Sequence, residues 1–333
     1  MKKYRVDFLK ACLQMAAVSC LAFAGAFPAL AGTPEWHDAS SFPLSGKAVD
    51  STYTRYGRLP SSCLGVSRDP VWSLGQNSAG LAVRFCSDSP FIRARWTSLH
   101  GNTMNHMAET GVRGLDLYVL EDGQWRFAGV GRPEGKTTDA VLVQNMTREK
   151  REYMLYLSLY DGVENLSIGI EEGSFIGQPE VDLPERVHPV VMYGTSILQG
   201  GCASRPGMAH TNILGRMLGR EVINLGFSGN AFLDYEIAGL MASVETPGAF
   251  VLDYVPNASA KMIEEKGEKF FRILRDAHPD VPIIFVEDPV FPHSKFNTAV
   301  YKEVAGKNAA QKALYEKLRK AGEKHVYYVS SEG

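Results

Sequence analysis

This 333-residue sequence is short of cysteine, has no excess of charge of either sign, and carries no long apolar run after residue 31. Each shortage excludes something. Five cysteines are too few for a disulfide scaffold, and none sits in a Cys-x-x-Cys or Cys/His cluster with metal-ligand spacing, so no structural metal and no cofactor are expected. With 35 Lys+Arg against 37 Asp+Glu the formal charge is −2, which argues against a nucleic-acid binder, since that needs a net basic face. Beyond residue 31 no segment reaches the ~20 apolar residues of a membrane span. The phosphate-cradling patterns Gly-x-x-x-x-Gly-Lys and Gly-x-Gly-x-x-Gly are missing as well.

What is present begins with a basic start, Lys2, Lys3, Arg5 and Lys10, then an apolar run from Ala11 to Phe27, then Ala29-Leu30-Ala31-Gly32. This is the pattern of a secretory signal peptide (1–31) cut after Ala31, with a retained anchor helix as the rival reading. Cleavage leaves a chain at −5 that is exported, periplasmic or secreted, with Cys63, Cys86 and Cys202. Either Cys63 pairs with Cys86 or all three are buried thiols.

The remainder has two grammars. From 32 to 183, short β-branched and aromatic runs such as Leu81–Phe85, Phe91–Trp96, Leu115–Val119 and Glu152–Leu159 alternate with turn signals, Asp122-Gly123 and Asp161-Gly162 among them. The spacing predicts an antiparallel β-sandwich or jelly roll. Ile176 to His188, with Pro179 and Pro184, reads as a linker. From 187 to 333, apolar strands at Val190–Tyr193, Val222–Leu225, Ala249–Leu252, Pro282–Val286 and Val326–Val329 alternate with helical stretches near Asn212–Leu218, Ile263–Ala277 and Val300–Ala321. That alternation predicts a parallel, doubly wound α/β sheet.

In such sheets ligands bind beyond the carboxyl ends of the strands. Gly194-Thr195-Ser196-Ile197 follows the first strand, Gly226-Phe227-Ser228-Gly229-Asn230 the second and Asp253-Tyr254-Val255-Pro256-Asn257 the third. A hydroxyl, a glycine N–H and a side-chain amide converging on one crevice suit acyl transfer, in which the hydroxyl attacks and the donors hold the oxyanion. Any one of these loops alone is ordinary turn chemistry, and Asn257 alone is an ordinary helix cap.

Val191 to Ile197, with Gly194-Thr195-Ser196, resembles the nucleophile block of SGNH (GDSL-type) hydrolases. Asn224 to Gly229 resembles their glycine block and Asp253 to Asn257 their asparagine block. Gly114-Leu115-Asp116-Leu117-Tyr118 resembles the Gly-x-Asp-Leu-Tyr signature of a β-rich domain that precedes SGNH domains in exported bacterial proteins. The resemblance implies a flavodoxin-like α/β fold, Ser196 as nucleophile, and an oxyanion hole from the N–H groups of Ser196 and Gly226 and the side chain of Asn257. It also implies a histidine in the loop after the last strand, three residues after an Asp. No Asp-x-x-His follows Val329, so a chain cut short before that block, and impaired as an enzyme, is expected. His293, after the fourth strand, and His210, after the first loop, are the possible substitute bases. His325 lies at the wrong end of its strand, and His37, His100, His106, His188 and His278 have no positional argument.

Two functions follow. One is an exported serine esterase that removes O-acetyl groups from carbohydrate, with a small-molecule or polysaccharide ester as partner. The other is a non-catalytic carbohydrate- or surface-binding relic of such an enzyme.

Overall fold

A computed structural model describes residues 33–181 and 185–331. The expected signal segment lies outside the described residues.

The first part is built from antiparallel strands whose alternate residues turn inward. β1 (Pro34–Asp38) and β2 (Leu44–Ser45) open it, followed by β3 (Ala82–Ser87), β4 (Ile92–Ser98), β5 (Leu115–Glu121) and β6 (Gln124–Gly131). Next come β7 (Thr137–Val143), β8 (Arg151–Tyr156), β9 (Val163–Glu171) and β10 (Ile176–Gly177). One sheet has the order β1-β9-β4-β7; the other runs β10-β3-β8-β5-β6, with β2 on β3. On β4, Ile92, Ala94 and Trp96 point into the sandwich core while Arg93 and Arg95 face out, the period-2 pattern expected of a half-buried strand. The Trp96 indole N–H, buried with its ring, donates to Arg113 O at 3.0 Å.

The second part is a parallel sheet of β11 (Glu185–Gly194), β12 (Arg220–Gly226), β13 (Ala249–Asp253), β14 (Ile283–Val286) and β15 (Val326–Val329). Its order is β12-β11-β13-β14-β15, the flavodoxin-like arrangement. Along β11 the side chains divide: Val191 and Tyr193 join the large apolar core on one face, Val190 and Met192 a smaller cluster on the other.

Seven helices connect these strands among the described residues: α1 (Asp69–Gly75), α2 (Glu109–Val112), α3 (Ser196–Gln199), α4 (His210–Leu218), α5 (Tyr235–Ala242), α6 (Ala260–Ala277) and α7 (Thr298–Lys320). The large core is closed by α5, α6 and α7. On α6, Ile263, Phe270, Phe271 and Leu274 recur at helical spacing, and Ser259 caps the start by accepting the Met262 N–H. The smaller cluster is closed by α3 and α4, through Leu198 and Leu214.

Two features depart from the sequence reading. The expected linker is partly structured, because Ile176–Gly177 pairs with Cys86–Ser87 and β11 begins at Glu185. Residues 59–72 leave the strand pattern altogether: Leu59, Cys63 and Val71 fill the core of the α/β sheet. Arg58 fixes this excursion. It is 1% exposed, and its guanidinium donates to the carbonyls of Asn77, Leu74, Asn224 and Gly226 at 2.7–3.0 Å. Burial lowers its pKa to about 9, so it keeps its charge at neutral pH while satisfying four carbonyls. The two parts pack into one compact unit.

Cys63 and Cys86 are buried free thiols, and Cys202 is an exposed one.

Candidate active site

The central strand β11 ends at Gly194, which lies opposite Gly226 of β12 and Asp253 of β13. All three loops therefore leave the same edge of the sheet. Thr195 caps α3 by accepting the Ile197 N–H at 3.3 Å, which places Ser196 in the first turn, half-buried. Gly200 ends this turn with φ +109°, and a Cβ there would lie 2.9 Å from that of Ala209.

The other loops are tied to this one. Phe227 N–H donates to Gly194 O at 2.8 Å and Ser228 N–H to Gln199 Oε1 at 3.0 Å. The Asn257 Oδ1 accepts the Ala231 N–H at 3.2 Å, so the second and third loops are joined, and the Asn257 Nδ2 has no hydrogen-bond partner among the described residues. An amide held by its oxygen presents its N–H₂ as a donor.

Gly226 does not play the expected part. Its N–H donates to Asn224 Oδ1 at 2.9 Å, and a Cβ on it would come within 2.3 Å of the Gln199 N. This glycine exists for close packing of β12 against α3. Three residues on, Gly229 is exposed, has φ +67°, and its N–H has no acceptor among the described residues. The turn thus frees the N–H of Gly229 in place of that of Gly226, because the Asn224 side chain folds back over the strand end.

Ser196 opens into a cavity of about 250 Å³ shared with Ser228, Ile197, Gly201 and Cys202. Its remaining wall comes from the sandwich part: Met104, His106, Met107 and Tyr160. None of these was foreseen. The Tyr160 hydroxyl donates to Ser196 O at 3.1 Å and so braces the nucleophile turn from 36 residues away. The adjacent Asp161 is fully buried and accepts N–H groups of His100, Asn102 and Gly162 at 2.8–3.0 Å, which shapes the loop carrying Met104 and His106. The Tyr160-Asp161-Gly162 turn was the sole sequence signal, and it read only as a turn.

The histidines sort accordingly. His106 lines the cavity, contrary to the expectation that it had no positional argument; its Nδ1 lies 2.9 Å from Asn105 Oδ1. His210 starts α4, and burial holds its imidazole below the ordinary pKa. His293 is exposed in a short turn, stacked on Phe291 at 5.6 Å. Neither of these two lines the Ser196 cavity, and no histidine hydrogen-bonds to Ser196 Oγ among the described residues.

Over residues 187–333 the sequence matches the model of the GDSL-like lipase/acylhydrolase family, and over 34–176 that of the N-terminal domain of SGNH-hydrolase-type esterases. A protein described as a GDSL-like lipase, from Bacteroides ovatus, is 37% identical in sequence over 90% of this chain and 88% of its own, with a TM-score of 0.86. The chain belongs to the GDSL-like lipase/acylhydrolase family. More distant structures share the fold. A salicylyl-acyltransferase from a tetracycline biosynthetic pathway is 18% identical, covering 90% of this chain and 85% of its own, with a TM-score of 0.71. An acetyl xylan esterase from Butyrivibrio proteoclasticus is 11% identical, covering 90% and 89%, with a TM-score of 0.52. No curated protein matches the chain in sequence.

As in that family, the Gly-x-Asp-Leu-Tyr stretch is present, and its geometry shows what it does here. Asp116 Oδ2, fully buried, accepts the Gly207 N–H at 2.8 Å, and Oδ1 faces Arg205 Nε at 3.3 Å. Burial lifts its pKa to about 6 against the pull of Arg205 and that N–H. Tyr118 carries the Arg216 guanidinium 4.1 Å above its ring. The motif clasps the loop between α3 and α4 to the sandwich.

Proposed function

We propose that this member of the family is an exported serine esterase that removes O-acetyl groups from carbohydrate. The observation that carries the reading is that the loops bearing Ser196, Gly229 and Asn257 leave the same edge of the parallel sheet and are hydrogen-bonded to one another, which supports the N–H groups of Ser196 and Gly229 and the Asn257 Nδ2 as the oxyanion donors. Ser196 Oγ attacks the ester carbonyl, and these donors receive the negative oxygen. The sugar alcohol leaves with a proton, and water then cleaves the acyl-serine to release acetate.

A small acyl group is supported by the cavity of about 250 Å³, closed by Met104, Met107 and Tyr160. Carbohydrate is supported by the fold shared with proteins named as carbohydrate esterases, one of them an acetyl xylan esterase. Export is supported by the basic-apolar-small pattern of residues 1–31. No described helix is long and apolar enough to cross a membrane.

A serine hydroxyl without a hydrogen-bonded base is a weak nucleophile. Among the described residues His106 is the histidine that lines the Ser196 cavity, and it serves as the base if it swings onto Ser196. The test is release of acetate from acetylated xylan and of nitrophenol from acetyl and octanoyl nitrophenyl esters. Acetyl preference abolished by Ser196→Ala supports the reading. Turnover that survives Ser196→Ala overturns it, and binding of xylan with no hydrolysis by any form favours the binding relic. Mass measurement of the exported chain, with Gly32 as the expected first residue, tests the export.

A further inference from the structure

A second cavity, about 490 Å³, lies apart from the one that holds Ser196, and the two share no lining residue. It lies between the outer face of β3, β8 and β6 and the helix α4. Arg84 lines it from β3 and Arg216 from α4, with Trp125, Tyr156 and Met154 forming apolar wall.

Arg84 is the unusual group. It is 1% exposed, yet its Nε, Nη1 and Nη2 all lack a hydrogen-bond partner among the described residues. Its ion-pair partner Glu152 stands 3.6 Å away, beyond hydrogen-bond length, and is occupied at its other oxygen by the N–H groups of Glu180 and Val181. The guanidinium stacks on Trp125 at 4.6 Å. Across the cavity Arg216 Nη1 is also buried without a partner, while Nη2 is held by Gly207 O. Buried donors left unmade cost free energy, and a folded chain keeps them where something completes them.

We propose that this cavity binds a small ring-bearing monocarboxylate, such as a uronic acid, through Arg84 and Arg216. The planar guanidinium fork matches a carboxylate, and the cavity is of small-ligand size. Trp125, Tyr156 and Met154 offer the surface against which a six-membered ring packs. Glu221 lines the same cavity, which disfavours a doubly charged phosphate relative to a single carboxylate. The site is independent of the esterase reading.

The experiment is calorimetric titration of the whole protein with glucuronate, benzoate, glucose and inorganic phosphate, in the parent, Arg84→Gln, Trp125→Leu and Ser196→Ala. Glucuronate binding with glucose silent identifies a sugar acid; benzoate alone identifies an aromatic acid. Either supports the site if Arg84→Gln weakens binding at least tenfold and Ser196→Ala leaves it unchanged. Trp125→Leu should also weaken it, and carries the test if Arg84→Gln does not fold. Silence of both acids, glucose or phosphate binding as tightly, or unchanged affinity in the folded variants overturns the proposal. Loss of esterase activity in Ser196→Ala with binding retained keeps the two readings apart.

Discussion

Asn257 offers the two ends of one amide to different tasks. Its oxygen accepts the Ala231 N–H, and its nitrogen has no hydrogen-bond partner among the described residues, so it is the proposed oxyanion donor. Removing a donor that acts only on the developing oxyanion lowers kcat and leaves KM nearly unchanged. Asn257→Ala is therefore expected to reduce kcat on a nitrophenyl acetate by about 10²–10³, measured by steady-state kinetics; an unchanged kcat removes Asn257 from the oxyanion hole. His106 is the residue whose replacement separates the possible bases. If it serves Ser196, His106→Ala abolishes the residual turnover while His293→Ala and His210→Ala leave it intact. Cys202 gives a third residue-scale test. It is exposed and lines the Ser196 cavity, whereas Cys63 and Cys86 are buried and burial raises their thiol pKa values. Iodoacetamide should modify Cys202 first and block esterase turnover in step with labelling, as read by peptide mass spectrometry and activity on the same samples.

Among the elements, α3 and the loop that joins it to α4 bear the most on function, because the sandwich holds both of them. Asp116 and Tyr118 of β5 grip the loop at Gly207, where a Cβ would meet Tyr118 Cε2 at 2.3 Å and Asp116 Oδ2 at 2.6 Å. Neither atom has room to yield, since Asp116 and Tyr118 are both buried. Gly207→Ala should cost about 1–3 kcal/mol, the usual range for overpacking, and appear as a lower urea midpoint with an unchanged slope. A midpoint within error of the parent would mean that the clasp is loose. On the other side Tyr160 holds Ser196 O, so Tyr160→Phe removes a brace while keeping the ring. The β-sandwich is therefore coupled to the nucleophile turn directly, through Tyr160, as well as to the loop that follows it.

For the whole molecule the carboxyl ends of β13 and β14 set a pH dependence. Burial, reinforced by the charge of Asp288, lifts the Asp253 pKa to about 7, and burial lifts that of Asp288 to about 6 despite Lys307. A carboxyl whose folded pKa lies above its unfolded value near 4 favours the folded state while protonated. That contribution is complete below about pH 4 and is lost as pH rises through 6 to 7. Asp253→Asn cannot lose it. The Tm of the variant relative to the parent should accordingly rise between pH 4 and pH 8 in a calorimetric series; a constant difference would show that Asp253 does not titrate in that window.

The strand-helix alternation after Pro189 and the short alternating runs before Leu183 were enough to specify two layered β and α/β architectures, because period 2 and period 3.6 are local properties of the chain. The placement of the Ser196 and Asn257 loops at one sheet edge was legible for a related reason: each follows its strand, and parallel strands end on one edge. What only the tertiary structure decided came from contacts between residues far apart in sequence. Asn224 Nδ2 donates to Leu198 O and Thr211 Oγ1, and with its amide held there its Oδ1 accepts the Gly226 N–H. Residues 59–72 enter the α/β core because Arg58 finds four carbonyls there, two of them at positions 224 and 226. The wall of the Ser196 cavity comes from Met104, His106 and Tyr160, which no periodicity connects to a loop at residue 196. Local pattern determines which segments become strands and helices; burial and hydrogen-bond satisfaction across the packed layers determine which side chains meet.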